Sequence, residues 1–120
     1  MIIPEDATLL RVFLGESDRY DGKPLYEAIV LKARELHLGG ATVLRGIMGF
    51  GRSSRLHTTK VLRLSEDLPI VVEIADAEEK IQAFLPWLER AVSGGLITLE
   101  HARVIRYVGG GPEGSEVRHE

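Results

Sequence analysis

The order of its hydrophobic patterns is the feature that most constrains how this chain folds. Apolar, β-branched runs alternate with two segments of helical periodicity, and the first helical segment begins at Pro24, which suits the first turn of a helix. This βαβ–ββ–αβ order predicts a ferredoxin-like α+β sandwich, in which an antiparallel sheet carries two helices on one face. The predicted strands are residues 7–15, 41–50, 58–64, 70–75 and 96–108; the fourth is either separate or part of a bent strand, and the last is open to interruption near Glu100 and His101.

Capping signals predict the ends of both helices. Gly39 is expected to end the first helix in a left-handed conformation. The second helix is expected to have Asp76 as its N-cap, with Glu79 at the reciprocal capping-box position, to bend at Pro86 and to end at Gly94-Gly95. The expected buried faces are Leu25, Ile29, Ala33 and Leu36 on the first helix, and Ile81, Phe84, Leu85, Leu88, Ala91 and Val92 on the second.

Two helices cover only one face of a four-stranded sheet, and the opposite face of this sheet is not purely polar. On the first strand, Leu9 and Phe13 flank Arg11 on one side, while Leu10, Val12 and Leu14 form the other. A helix-free face with apolar residues beside arginines is expected to be covered by another subunit. The sequence therefore predicts a homo-oligomer.

Composition narrows the possible partners. With 18 acidic and 15 basic residues the net charge is −3, which gives no long-range attraction to nucleic acid or to an anionic membrane. Cysteine is absent, so disulfides and thiolate metal sites are excluded. The N-terminal residues show neither a signal peptide nor a membrane span, so we expect a cytoplasmic protein without direct membrane insertion. Residues 1–108 are expected to form one domain, and residues 109–120 a flexible C-terminal tail.

No catalytic or metal-binding constellation stands out. The histidines lack the paired spacing of a zinc site, and the Ser53, Ser54 and His57 group has no oxyanion-hole motif beside it. An acylphosphatase-like phosphohydrolase would share this fold and could hold phosphate with Arg19, but such enzymes orient water with an asparagine, and this chain has none. An RNA-binding domain would stack bases on aromatic residues that segment 58–64 lacks. We therefore expect no enzyme activity, no cofactor and no metal.

Glycine is over-represented, and its grouping marks candidate binding positions. The chain has 13 glycines in 120 residues, and several fall in tight groups inside the predicted domain. The run Gly49-Phe50-Gly51-Arg52, followed by Ser53, places two positions without side chains around an aromatic ring, with a guanidinium next to them. This pattern suits an anion held by backbone N–H groups and arginine. It equally suits a kinked hairpin whose glycines only permit twist.

Two further segments carry candidate binding residues. In the loop GESDRYDGK, Arg19 and Lys23 lie beside a glycine turn and could hold an anion, or the loop's own Glu, Ser and Asp side chains could satisfy its backbone donors. The glycine pair Gly94-Gly95 precedes the last predicted strand, on which Arg103 and Arg106 lie. Since residues i and i+3 of a regular strand face opposite ways, these two arginines share a site only across a bulge.

Two stretches carry a resemblance to a known family. Gly40-Ala-Thr-Val followed by Gly49-Phe-Gly-Arg52 is similar to the second strand of PII signal-transduction proteins, which leads into their large T-loop. Residues 14–51 and 62–76 look more like the uncharacterised PII-like family, a domain of unknown function sometimes found beside fluoride-channel proteins, and the resemblance covers about residues 5–108. It implies a ferredoxin-like subunit that forms a trimer with inward-facing sheets and binds effectors in the clefts between subunits.

The resemblance also implies which residues meet the ligand. In PII proteins these clefts bind adenine nucleotides. Gly49, Phe50, Gly51 and Arg52 match the base of the T-loop, Gly94 and Gly95 fall near the phosphate-binding loop, and Arg103 and Arg106 stand for basic residues of the final strand. The T-loop is shortened here to about residues 52–57, without the tyrosine that PII proteins uridylylate, and no lysine follows the glycines of segment 93–96. That modification is therefore expected to be absent, and nucleotide binding to differ in form.

Together these features predict a non-enzymatic, trimeric PII-like sensor. It is expected to bind a small anionic effector, such as an adenine nucleotide, between subunits and thereby change its contact with a partner protein. The alternative is a ligand-free trimeric scaffold or accessory protein for a membrane channel or transporter.

Overall fold

Four strands form the main sheet of the fold, and four short strands form two small ladders beside it. The computed structural model describes residues 2–51, 57–58 and 67–109. In chain order the elements are β1 (Asp6–Gly15), β2 (Arg19–Tyr20), β3 (Lys23–Pro24), α1 (Leu25–Glu35), β4 (Thr42–Arg45), β5 (Met48–Gly49), β6 (His57–Thr58), β7 (Pro69–Asp76), α2 (Glu78–Ala91) and β8 (Leu96–Arg103).

The main sheet has the strand order β4-β7-β1-β8, and every neighbouring pair is antiparallel. The central pair, β1 and β7, runs in register from Thr8 opposite Asp76 to Gly15 opposite Pro69. With α1 and α2 inserted after the first and third strands of this sheet, the order is βαββαβ with the first and third strands at the centre. The predicted ferredoxin-like α+β class is confirmed.

The core lies between the sheet and the two helices. Leu10, Val12 and Leu14 of β1 are buried, and the residues between them are only partly buried. Burial of each such side chain contributes roughly 1.5–3 kcal/mol relative to leaving it exposed, so this layer holds the helices to the sheet. The helices contribute Leu25, Ala28, Ile29 and Ala33 from α1, and Ile81, Phe84, Leu88 and Ala91 from α2.

The end of α1 differs from the prediction. His37 adopts the left-handed conformation, with φ 62°, and Gly39 does not cap the helix. Leu36 occupies the C-cap position and is 39% exposed, so it does not extend the buried face. The turn is therefore made by His37, one residue after the C-cap, and not by Gly39.

The start of α2 also differs from the prediction. Asp76 is the last residue of β7, and Ala77 takes the N-cap position without a side-chain cap hydrogen bond. The predicted capping box between Asp76 and Glu79 is therefore wrong, because the carboxylate is occupied by other backbone donors. Pro86 lies inside α2, which continues through it. Neither helix in the described part of the chain is long and apolar enough to cross a membrane.

The ends of two strands differ from the prediction. The predicted strand 41–50 is divided into β4 and β5. The N–H of Gly46 still donates to the Pro69 carbonyl, but β4 ends at Arg45 because proline has no N–H to donate in return. β8 runs without interruption past Glu100 and ends at Arg103, so Arg106 lies beyond the strand. Residues 59–64 of the predicted third strand and residues 110–120 of the predicted tail lie outside the described residues.

Candidate functional site

The register of the strands shows at which end of the main sheet each candidate residue lies. At one end, β1 finishes at Gly15 opposite Pro69, β4 finishes at Arg45, and β8 begins at Leu96. We call this the glycine end, and it comprises residues 15–18, 45–51, 67–69 and 92–96. The opposite end, called the Asp76 end, comprises residues 3–6, 37–40, 76–80 and 101–107.

Two glycines of the glycine end pack closely against Pro69. A Cβ atom at Gly46 would lie 2.8 Å from Pro69 Cγ, and one at Gly49 would lie 3.2 Å from the same atom. The N–H of Gly46 also donates to the Pro69 carbonyl at 2.7 Å. These two glycines thus let the β4–β5 segment lie against the first residue of β7, which gives both of them a packing role.

The Gly94-Gly95 pair contains one packing position and one open position. Gly95 has φ 157°, and a Cβ there would lie 2.5 Å from the carbonyl oxygen of Phe13. A Cβ at Gly94 would meet no atom within 4 Å. Gly95 therefore closes the turn against β1, while Gly94 exposes backbone that a ligand can approach closely.

The β5 segment carries exposed apolar side chains. Ile47 is 74% exposed and Phe50 is 75% exposed. Gly51 follows Phe50 and is also exposed. Neighbouring apolar side chains at this exposure are typical of a contact surface. Arg52 and Ser53, the other predicted ligand contacts of this segment, lie outside the described residues.

The two glycine groups lie at the same end of the sheet but at its opposite edges. β4 and β8 are the edge strands, with β7 and β1 between them. Three interstrand spacings put these edges about 14 Å apart. A small ligand at Gly51 therefore reaches Gly94 of the same copy only by spanning the end of the sheet.

Arg103 and Arg106 lie at the Asp76 end, away from the glycines. From Leu96 to Arg103, β8 extends over about 23 Å. Arg103 Nε donates to Glu5 Oε2 at 2.7 Å, and Arg106 is exposed beyond the strand. Within one copy the structure does not bring these arginines together with the Gly94-Gly95 turn.

The loop predicted to hold an anion is a small hairpin. β2 and β3 pair Tyr20 with Lys23 around Asp21-Gly22, whose φ values of 52° and 82° match a type I′ turn. Arg19 takes the alternate position of the ladder, so it faces the side opposite Lys23. The hairpin does not bring these two cations together. The Tyr20 ring instead packs edge-on against Trp87, with ring centroids 5.4 Å apart.

A charged contact that the sequence did not reveal borders the glycines. Arg45, the last residue of β4, pairs its Nη2 with Glu16 Oε2 at 2.7 Å. The Arg45 side chain is 61% exposed, and that of Glu16 is 28% exposed. The position of Arg45 directly before Gly46 was an available signal, but nothing in the sequence pointed to Glu16 as its partner.

The helix-free face carries a row of apolar side chains across the sheet. At its edges Leu44 is 48% exposed and Leu96 is 55% exposed, whereas the central members are half-buried. Apolar surface of this kind is typical of a contact between subunits. The row consists of Leu44, Val71, Phe13 and Leu96, which the register places side by side.

The centre of the helix-free face is occupied by an ion-pair cluster. Arg11 contacts Glu73 at 2.8 Å and Glu100 at 3.2 Å. The hydrogen bond to Glu73, with a further contribution from the charge of Glu100, raises the pKa of Arg11. This arginine is therefore held by the protein's own carboxylates.

The Asp76 end is closed by hydrogen bonds. Asp76 is fully buried, and its carboxylate accepts from the N–H of Ala77 at 2.6 Å and from the N–H of Gly39 at 2.8 Å. Lys80 Nζ lies 3.5 Å from the same carboxylate. The Tyr107 hydroxyl donates to the Gly39 carbonyl. The residues after β8 are thus tied to the segment that follows α1.

The glycine end offers groups that bind rather than react. Open backbone at Gly94, at one edge of the sheet, and the Arg45 guanidinium and exposed Phe50 ring, at the other edge, are each suited to contact an anion attached to a flat ring. Within residues 2–51 and 67–109, no three His, Asp or Glu side chains are arranged to hold a metal ion.

Comparison with known proteins identifies the family. The profile of DUF190, described as Uncharacterized ACR, matches residues 7–104. A UPF0166 protein of Aquifex aeolicus (strain VF5) is 44% identical over 97 residues, which cover 81% of this chain and 91% of that relative. The chain belongs to the DUF190 family.

Two solved structures share the fold of this DUF190 protein. CPII, a nitrogen regulatory PII-like protein from Thiomonas intermedia K12 bound to ADP, AMP and bicarbonate, matches with a TM-score of 0.62 and 19% identity over 84% of this chain and 90% of CPII. A candidate PII-like signaling protein from Thermus thermophilus matches with a TM-score of 0.61 and 19% identity over 88% of this chain and 95% of that chain. The DUF190 protein therefore has a PII-like fold.

Proposed function

We propose that this DUF190 protein is a PII-like regulatory protein that binds a small anionic effector, an adenine nucleotide in the first instance, at the glycine end. The observation that carries the proposal is a PII-like fold whose glycine end has open backbone at Gly94, an exposed ring at Phe50 and a solvent-exposed, though paired, guanidinium at Arg45. The similar protein CPII was solved bound to ADP, AMP and bicarbonate, which supports an adenine nucleotide as the first ligand to test.

The effector is proposed to lie between copies of the chain. Gly51 and Gly94 of one copy lie at opposite edges of the sheet, and Arg103 and Arg106 lie at its other end, so a second copy is needed to bring such groups together. The apolar row of the helix-free face supports an assembly through that face, because its edge residues remain exposed in one copy. We propose three copies, as the PII resemblance implies, with Arg52 and Ser53 contacting the ligand.

Effector binding is proposed to change the contact of the assembly with a partner protein, such as a membrane channel or transporter. The exposed Ile47 and Phe50 support a contact surface next to the binding position. A ligand that orders this segment changes the affinity for the partner, and the partner changes the affinity for the ligand by the same factor.

Calorimetric titration with AMP, ADP, ATP and cyclic nucleotides tests the ligand. We expect at least one nucleotide to bind the wild type, and Arg52→Ala to weaken that binding about tenfold because a charge-assisted hydrogen bond is lost. Gly94→Ala is expected to weaken it as well. Gly40→Ala is the matched control, because a Cβ at Gly40 or at Gly94 meets no atom within 4 Å. Absence of heat for every nucleotide contradicts the proposal and favours the ligand-free scaffold.

Sedimentation at micromolar concentration tests the assembly. We expect a trimer for the wild type and smaller species for Leu96→Lys, since the lysine places a charge in the apolar row. Ile105→Lys is the control, because Ile105 is 79% exposed and lies beyond the end of β8. A wild-type monomer contradicts the proposed site between copies.

A further inference from the structure

The basic side chains of the described residues differ in the groups that they already contact. Arg45 directly precedes Gly46, and its side chain remains 61% exposed although it is paired. Other candidate cations are held elsewhere or do not converge. They are Arg11 between two carboxylates on the helix-free face, Arg103 paired with Glu5 at the Asp76 end, and Arg19 and Lys23 on opposite faces of the hairpin.

The backbone on both sides of the Arg45–Glu16 contact is fixed. Arg45 closes β4, and the N–H of the next residue donates to the Pro69 carbonyl at 2.7 Å. The N–H of Glu16 donates to the Leu68 carbonyl at 2.8 Å. The two side chains can therefore separate while the backbone that presents them stays in place.

The contact itself is one that a ligand can replace. It joins Arg45 Nη2 to Glu16 Oε2, whereas a guanidinium has five N–H donors in a planar fork. Ion pairs at this exposure contribute little to stability, and arginine binds phosphate at least as well as it binds carboxylate. A phosphate group at the glycine end thus meets a cation whose present partner is readily displaced.

We propose that Arg45 binds the phosphate group of the effector and that Glu16 occupies Arg45 in the free protein. Binding then exchanges the Glu16 carboxylate for the phosphate of the ligand, and Glu16 turns to solvent. This inference rests on the proposed function and deepens it, because Glu16 sets the ligand concentration at which the site fills.

Calorimetric titration of the full chain with AMP, ADP and inorganic pyrophosphate tests the exchange. Arg45→Gln is expected to raise the dissociation constant about tenfold, because a charged hydrogen bond to phosphate is lost. Glu16→Gln is expected to lower it about threefold, because Arg45 is freed. In the double variant the gain from Glu16→Gln is expected to disappear.

Asp18→Asn is the matched control for the charge of the loop. Asp18 lies in the same loop as Glu16 and accepts from the N–H of Gly15 at 3.0 Å, a bond that the asparagine oxygen can keep. We expect this variant to leave the dissociation constant within about twofold. Arg45→Lys keeps the charge without the planar fork and provides a second variant should Arg45→Gln fail to fold; we expect weaker binding there as well.

The outcomes separate the two proposals. If the wild type binds none of the three probes and neither ATP nor a cyclic nucleotide, both the inference and the proposed nucleotide site are overturned. If the wild type binds but Arg45→Gln binds equally well, the inference alone is overturned. If Asp18→Asn strengthens binding as much as Glu16→Gln, the effect is one of general charge and the exchange is overturned.

Discussion

The two ends of the main sheet differ in what their polar groups bond to. At the Asp76 end the groups bond to one another, since the buried carboxylate receives two backbone N–H groups and the Tyr107 hydroxyl reaches the Gly39 carbonyl. At the glycine end backbone hydrogen bonds from Glu16 to Leu68 and from Gly46 to Pro69 also fix the loops, but Gly94 exposes its backbone and Arg45 holds a carboxylate at the surface. The difference indicates that one end stabilises the fold, while the other is available to a ligand or a second copy.

The presence of glycine alone does not show whether a position serves packing within the fold or contact with a ligand. Gly46 and Gly49 make room for Pro69, and Gly95 makes room for the carbonyl of Phe13. A Cβ at Gly94, in contrast, would meet no atom of its own copy within 4 Å. Open space alone does not make a binding position, because Gly40 at the Asp76 end is open as well. Gly94 is singled out because it is open and also lies at the glycine end, which can be recognised only once its neighbours in space are known.

The largest expected effect lies at the Asp76 end. Asp76→Ala leaves two buried backbone N–H groups without their acceptor and is expected to lower the free energy of unfolding by about 2–4 kcal/mol. Urea denaturation measures the change. Asp6→Ala is the control, because that side chain is 87% exposed, and we expect a change within about 0.5 kcal/mol. A change within about 0.5 kcal/mol for Asp76→Ala as well would mean that its buried carboxylate does not stabilise the fold.

The second-largest expected effect is a difference in stability between substitutions at the two glycines of one turn. Gly95→Ala strains a backbone with φ 157° and places a Cβ 2.5 Å from a carbonyl oxygen, so we expect a loss of about 1–3 kcal/mol. Gly94→Ala is expected to change the free energy of unfolding by less than about 0.5 kcal/mol. Urea denaturation of both variants checks this, and similar losses at both positions would remove the distinction between packed and open glycine.

The smallest effect concerns the segment after β8. Tyr107→Phe removes the hydroxyl that donates to the Gly39 carbonyl and is expected to lower the free energy of unfolding by about 1 kcal/mol. Tyr20→Phe is the control, since Tyr20 contacts Trp87 through its ring, which phenylalanine retains. If the Tyr107→Phe protein is as stable as the control, the hydroxyl of Tyr107 does not stabilise the segment after β8.

The parts of the fold that follow from local periodicity could be predicted from the sequence. Ile81, Phe84 and Leu88 recur at helical spacing and are buried, and Leu10 and Val12 alternate along β1 and are buried too. Because the order of these segments restricts the topology, the ferredoxin-like class was predictable before any contact was known.

The parts decided by distant residues could not be predicted. Asp76 looks like an N-cap, yet its carboxylate accepts from Gly39, 37 positions away. The exposed segment around Phe50 was singled out by its glycines, whereas the pairing of Arg45 with Glu16 depends on where two separate loops meet. Sequence therefore indicates which residues suit a binding site, and only the fold decides which of them lie together.

Hydrogen–deuterium exchange of the wild type with and without ADP tests whether the ligand binds at the glycine end rather than at the Asp76 end. We expect slower exchange with ADP in residues 46–51 and 92–96 of the glycine end, and unchanged exchange in residues 76–80 of the Asp76 end. Slower exchange confined to the Asp76 end would contradict this expectation, as would unchanged exchange at both ends under conditions in which calorimetry shows that ADP binds.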